Sequence, residues 1–272
     1  MSEVFGIRIS DPPSCVVIDK SFLDGVSSAQ LQFYVQNGWT FAMPEVLMYE
    51  HFRKRDDRRI ANIFKLHSIE KRVFRLPGIG EMFRMEGRRR KPAITTLQAK
   101  TVEFIVQKGP SGEYFELDGE SLMLTEERSE QLAAKVPMMI HVWQSLRELP
   151  AIKNASSKEL PEVIKEHQIK IRDDRDDMRG FYANHRYPQF PPPDLIDEGW
   201  AYFRWVQVYL LAGLDFISRY GVNVVPSEEN MIHELIDLDY LIPAILVGGL
   251  ACREKIFLER FRLLRSDGVV LK

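Results

Sequence analysis

With 272 residues, 45% of them hydrophobic, the chain can bury a full core, and its length accepts either one domain with an insertion or two domains. Its 37 basic and 39 acidic residues nearly cancel, so bulk charge marks neither a nucleic-acid nor a membrane partner, and only local patches can do so. Cys15 and Cys252 both lie in apolar, strand-like runs, where a free thiol behaves as a small buried hydrophobe, so a disulfide framework is not expected. No basic-then-apolar leader opens the sequence, and its most apolar stretch, 235–252, carries Asp237, Asp239 and Pro243. The expectation is a soluble, cytoplasmic protein without a membrane span.

In chain order, Cys15-Val16-Val17-Ile18 predicts a short buried strand closed by Asp19, which projects into a loop with Ser21 behind it. Residues 28–36 have helical spacing of apolar positions, ended by Asn37-Gly38. Trp39 to Met43 predicts a second buried strand. Pro44 then suits the first position of a helix running from Glu45 to about Ile60. Strand, helix, strand, helix is the start of a parallel α/β sheet. From Arg53 to Lys91 bases outnumber acids and end in Arg88-Arg89-Arg90-Lys91.

Residues 125–149 predict an amphipathic helix despite Pro137, and 159–178 a second, highly charged one. Tyr187 to Pro193 is an extended connector, because successive prolines exclude helix and remove ladder donors. Tyr182, His185, Arg186 and Tyr187 beside it are either a base-stacking platform or anchors for the connector, anchoring being the commoner use. Residues 198–220, apolar on nearly every side, predict a buried helix ended by Gly221. Val222 to Val225 predicts a short strand, and Ser227-Glu228-Glu229 the start of a helix that Pro243 breaks or kinks. Leu250 to Cys252 predicts a strand, 255–265 a helix and Val269 to Leu271 a last strand. The regular α/β pattern thus occupies 1–60 and 197–272, around a mainly helical insertion at 61–196.

Acids recur where strands end and helices begin, the region where open parallel sheets bind ligands. Asp19 closes the first strand, a place where a cap is the common meaning. Glu50 shares a helix face with Val46 and Leu47, with a salt bridge to Arg53 or Lys54 as the bland alternative. Asp237 and Asp239 sit two apart, roughly 200° around a helix, so only one of them can point straight at a shared site. Glu254 follows a strand and precedes a helix, where the helix dipole also favours an acid. His51 and His233 flank these acids and read as structural.

Val17-Ile18-Asp19-Lys20-Ser21, Met43-Pro44-Glu45-Val46-Leu47-Met48-Tyr49-Glu50, Asp237-Leu238-Asp239-Tyr240-Leu241 and Cys252-Arg253-Glu254-Lys255 together resemble the PIN-domain nucleases in order and spacing. Seventeen positions separate Asp237 from Glu254, which suits Asp237 better than Asp239 as that family's third acid. Glu254 departs from the family's usual Asp or Asn after Ser or Thr, and the long central stretch has no counterpart in compact members. The resemblance implies a three-layer α/β/α fold with a central parallel sheet and a helical insertion. It also implies an endoribonuclease holding Mg²⁺ or Mn²⁺ on Asp19, Glu50, Asp237 and Glu254, with Asp239 as a further metal contact. All-oxygen ligands favour those ions over zinc. RNA, more than DNA, is the implied partner, positioned by Ser21 and by Arg88, Arg89, Arg90 and Lys91, whose other meaning is a solvated surface.

The competing expectation is a PIN-like scaffold without cleavage that binds protein or RNA through the insertion. A third, an unrelated Rossmann-like enzyme whose acids are caps, lacks a phosphate fingerprint, since no buried strand precedes Gly78-Ile79-Gly80.

Overall fold

A computed structural model describes residues 4–6, 15–52, 57–93, 98–101, 107–109, 112–114, 119–185 and 190–272. Its strands are β1 (Val4–Gly6), β2 (Cys15–Ile18), β3 (Thr40–Met43), β4 (Val73–Arg75), β5 (Gln98–Thr101), β6 (Gln107–Gly109), β7 (Gly112–Tyr114), β8 (Gly249–Ala251) and β9 (Val269–Leu271). Its helices begin with α1 (Lys20–Gly25), α2 (Ser28–Gln36), α3 (Glu45–Phe52), α4 (Asp57–His67), α5 (Ile79–Arg89) and α6 (Gly119–Arg147). They continue with α7 (Pro150–Lys153), α8 (Leu160–Asp173), α9 (Arg175–His185), α10 (Ala201–Tyr220), α11 (Glu228–Val247) and α12 (Lys255–Leu264).

Two compact units result: unit 1 is Met1–Met82, Ile94–Glu130 and Asp239–Lys272, and unit 2 is Phe83–Ala93 and Gln131–Leu238. Both units are discontinuous in sequence: α4 and β4 fall in the first, residues 83–93 and α10 in the second, and residues 94–130 return to the first.

Unit 1 holds a seven-stranded sheet in the order β1-β5-β4-β3-β2-β8-β9. The five strands from β4 to β9 are parallel, and β5 and β1 extend that edge antiparallel. Helices flank the sheet in a three-layer α/β/α arrangement, as expected. Val16, Val17 and Ile18 of β2 are fully buried, the continuous apolar run that a strand covered on both faces requires. Strands β2, β3 and β4 step one way across the sheet, whereas β8 and β9 lie on the other side of β2. The order thus reverses between β2 and β8, and the carboxyl ends of those two strands border the crevice that such a reversal opens.

Unit 2 is mainly helical among its described residues. Helix α10 packs against α8 and α9, and most of its side chains are buried. Its N-cap residue, Trp200, makes no side-chain cap. Glu86, fully buried on α5, takes that role: its carboxylate accepts from the backbone N–H of Ala201 at 2.6 Å, Tyr202 at 3.1 Å and Ala93 at 3.1 Å. Tyr182 is buried against Tyr202 and donates its hydroxyl to Pro191 O at 2.6 Å, so it anchors the proline connector and offers no stacking face. Arg186 and Tyr187 lie outside the described residues.

Several sequence expectations change. The helix predicted for 159–178 is two helices, since Asp174 leaves helical geometry at ψ 90° and its carboxylate takes Asp177 N–H at 3.0 Å, starting α9. Val222 to Val225 is not a strand: Val224 and Val225 are 51% and 56% exposed, and these residues pair with no strand. Helix α11 passes through Pro243 without a break, supported by the buried apolar residues on either side of it. The helix predicted from Glu45 to Ile60 is seen as α3 and α4, with 53–56 outside the described residues. Asp19 leads into α1 rather than a loop. Among the described residues no helix is long and apolar enough to cross a membrane.

Strand β8 passes very close to β2: a Cβ added at Gly249 would stand 2.4 Å from Cys15 O and 3.2 Å from Val16 Cα, both backbone atoms. Gly249→Ala is therefore expected to lower stability by about 1–3 kcal/mol or more, read as a lower urea midpoint with an unchanged slope. In unit 2, burial pushes the Glu86 carboxyl up to about 7 against the pull of its three N–H donors. An acid raised in the folded state stabilises below its unfolded value and loses that contribution as pH rises through the folded one. The stability advantage of the native chain over Glu86→Gln should therefore shrink between pH 5 and pH 8 in paired urea titrations.

Candidate functional site

At the reversal point the ladder from β2 to β8 continues past both strands. Asp19 N–H donates to Ala251 O at 3.1 Å, and Arg253 N–H donates to Ser21 Oγ at 3.0 Å. These bonds fix the chain leaving β2 against the chain leaving β8, and so bring Asp19 to Cys252 and Glu254.

Asp19 is 5% exposed and is the N-cap of α1. Its Oδ1 accepts from Ser21 N–H at 2.5 Å and its Oδ2 from the Ser21 hydroxyl at 2.7 Å. The Cys252 thiol also bonds to it and stands 3.5 Å from Ser21 Oγ. Burial raises the Asp19 carboxyl above its ordinary value, opposed by the Cys252 and Ser21 hydrogen bonds and by Lys20. Burial, and then the Asp19 charge, push the Cys252 thiol up as well, so it is a neutral donor rather than a thiolate.

Pro44 introduces α3, which carries Glu50 to the same neighbourhood. Its side chain is 20% exposed; Tyr240 donates its hydroxyl to Oε2 at 2.6 Å, and the Lys20 ammonium lies 4.0 Å from Oε1. Burial raises the Glu50 carboxyl, Tyr240 and Lys20 lower it, and Asp19 raises it again. Glu254, the exposed N-cap residue of α12, makes no side-chain cap, and its carboxyl is raised by partial burial and then by Asp19, with Lys20 opposing. The Asp19 charge thus acts on both Glu50 and Glu254, and Lys20 acts on all three acids.

The two aspartates of α11 part company. Asp239, in unit 1, is 5% exposed and forms a buried ion pair with Arg128 of α6. Asp237 is half-buried and falls in the unit 2 stretch of the helix. Arg88, Arg89, Arg90 and Lys91 are exposed in unit 2, at and just beyond the last turn of α5, where cations complement the carbonyl end of a helix. His51, next to Glu50, donates Nδ1–H to Leu47 O at 2.9 Å. Its buried Nε2 has no hydrogen-bond partner among the described residues, and burial lowers its pKa to about 4, so the ring is neutral.

The carboxylate donors gathered in unit 1 are oxygens, offset in part by Lys20 and, at Glu50, by Arg59, a chemistry that fits a hard divalent cation. As the side chains lie, no group of three or more His, Cys, Asp or Glu among the described residues is close enough to hold an ion. Sequence reasoning did not find Tyr240, Cys252 or Arg128. Tyr240, adjacent to the aspartate pair, and Cys252, two residues before Glu254, had positional signals; Arg128 had none. Comparison of the chain with protein-family models, curated proteins and solved structures returns no match.

Removing either partner of the Arg128–Asp239 pair strands a buried charge, at a cost of roughly 3–5 kcal/mol. Replacing both with apolar side chains removes that penalty. Arg128→Met and Asp239→Leu should each destabilise far more than the double variant in a double-mutant cycle followed by chemical denaturation.

Proposed function

We propose that unit 1 is a metal-dependent nuclease centre of PIN type, acting as an endoribonuclease. The observation that carries this reading is the convergence of Asp19, Glu50 and Glu254 from three separate elements at the sheet's reversal point, two of them largely buried, with a single ammonium among them. Burial opposes ionisation of such a group, and a divalent cation relieves it.

Asp19, Glu50 and Glu254 would hold Mg²⁺ or Mn²⁺, with Glu254, long and uncommitted to its helix cap, best able to swing toward the other two. A bound ion of this kind supplies an activated water and offsets charge developing at a phosphodiester. The protein's own groups orient the donors: Ser21 and Cys252 fix the Asp19 carboxylate, and Tyr240 fixes Glu50. Lys20 neutralises part of the cluster without the ion. Neither Asp237 nor Asp239 is needed for this core set.

A second reading, a scaffold that binds protein or RNA without cleaving it, is favoured by the buried Arg128–Asp239 pair, which commits one of the candidate ligands elsewhere. Metal titration separates the two. Asparagine caps a helix about as well as aspartate, so Asp19→Asn should keep the metal-free melting temperature near that of the native chain. The native chain should gain stability with Mn²⁺, by about 2.7 kcal/mol at a hundredfold excess over Kd. The gain should be larger at pH 8 than at pH 5.5, because the raised carboxyls must lose their protons to bind metal. Asp19→Asn should lose that gain together with cleavage of a labelled RNA. A native melting curve unmoved by millimolar Mn²⁺ would leave the scaffold reading.

A further inference from the structure

We propose that Lys20, Arg58, Arg59, Lys65 and Arg253 form a cationic rim beside the carboxylates of unit 1 that receives the phosphodiester backbone of single-stranded RNA. The assignment rests on reading those carboxylates as a nuclease centre.

The five side chains come from three places in the chain: Lys20 stands at the start of α1, and Arg58, Lys65 and Arg253 reach Asp24, Leu23 and Gly25 at its end. Lys20, the first residue of α1, approaches Glu50 to 4.0 Å. Arg59, on the first turn of α4, acts on both Glu50 and His51. Arg58 beside it is 72% exposed and lies 3.8 Å from Asp24 Oδ1. One turn and a half further along α4, Lys65 is anchored by bonds to Leu23 O at 2.5 Å and Asn62 Oδ1 at 3.1 Å. From there its ammonium is close enough to Asp24, Arg58 and Arg253 for all three charges to act on it.

Arg253 leaves β8 between Cys252 and Glu254, and its guanidinium lies across Gly25, where an added Cβ would stand 2.2 Å from Nη1. Its backbone is held by Ser21. Asp24 acts on Lys65 and lies 3.8 Å from Arg58, and Lys65 also feels Arg58 and Arg253, so three positive charges gather beside that acid. Gathering like charges against their repulsion is characteristic of a surface that receives an anion. The row Arg88 to Lys91 is contiguous and sits at the end of its own helix, whereas the unit 1 group is assembled from α1, α4 and the β8 exit. Cations next to a carboxylate centre also match a phosphodiester chain, whose neighbouring phosphates need positive contacts while the reacting one meets the acids and their ion. Contacts of this kind to phosphates set affinity and register, not sequence preference.

The test measures anisotropy of a fluorescein-labelled oligouridylate on Asp19→Asn protein in EDTA, so that nothing is cut and no metal is needed. In that background Arg58→Gln with Arg253→Gln should weaken binding by roughly tenfold and make log K less steep against log salt by about 0.7 for each lost contact. Arg88→Gln with Arg89→Gln should change neither. The same affinity and salt slope with and without Arg58 and Arg253, or an equal loss from the Arg88 and Arg89 pair, overturns the rim. Tighter binding of the deoxy oligomer than of RNA overturns the assignment to RNA. Both mutated side chains are exposed; should the double variant fold poorly, Arg253→Gln alone gives the same readout at about half the slope change. A rim effect without Mn²⁺ stabilisation of the native chain removes the nuclease reading and leaves the rim, whereas Mn²⁺ stabilisation with an indifferent rim does the reverse.

Discussion

Everything at the candidate site depends on the parallel pairing of β2 with β8, two segments from opposite ends of the chain. Val17 stands opposite Leu250 and Ile18 opposite Ala251, and Asp19 N–H continues the ladder to Ala251 O. A one-residue slip would send each of these side chains to the other face of the sheet. Gly249 permits the close approach because it has no Cβ to meet the β2 backbone, and the Arg253–Ser21 bond clasps the two exits. Since the strand order reverses at this pair, the exits diverge over a crevice instead of being covered by a crossover. The register that builds the core therefore also places Asp19, Cys252 and Glu254 together.

The same placement strains the electrostatics. Asp19, Glu50 and Glu254 all have carboxyls raised above their ordinary values, chiefly by burial, with the Asp19 charge adding to the rise at Glu50 and Glu254. By linkage, groups of that kind favour the folded chain most below their unfolded values and give up the advantage as pH climbs through the folded ones. Near neutral pH the cluster is a liability of the bare protein, offset only in part by Lys20 and Tyr240. Arg128 and Asp239 show the contrasting solution in the same unit: a buried acid given its own guanidinium and removed from the chemistry. One sheet-based unit thus treats its carboxylates in two ways, one acid paired with its own guanidinium and three left with raised carboxyls.

Much of this was legible in the chain. Continuous apolar runs such as 15–18 and the proline ahead of Glu45 placed the strands and α3, because burial on both faces and a missing N–H leave local marks. The acids at strand exits could be read for the same reason. Strand β4, only Val73 to Arg75, was hidden in a basic stretch, and β5 and β1 follow the antiparallel edge that β4 begins. The valines at 222–225 misled, since β-branched residues signal a strand only where a sheet edge is available to pair with them. The fate of Asp239 was unreadable: its partner is 111 positions away on a helix whose pattern gives Arg128 no special mark. The rim was also invisible, because its cations are scattered in sequence, while the contiguous run at 88–91, conspicuous on paper, sits at a helix end in the other unit.

Asp19 carries the sharpest tension between a structural and a chemical role, and hydrogen-bond counting resolves it. As the cap of α1 it uses one bond on each oxygen, Oδ1 to Ser21 N–H and Oδ2 to the Ser21 hydroxyl. An ionised carboxylate has about four lone-pair directions, so capping occupies roughly half of its capacity. The Cys252 thiol takes part of the rest, and being neutral it can give way to a stronger electrophile without leaving a charge behind. Capping therefore fixes the plane and direction of the carboxylate without using all of its lone pairs. A residue held in this way loses little orientational freedom on binding a cation, so the cap is compatible with the metal role proposed for Asp19.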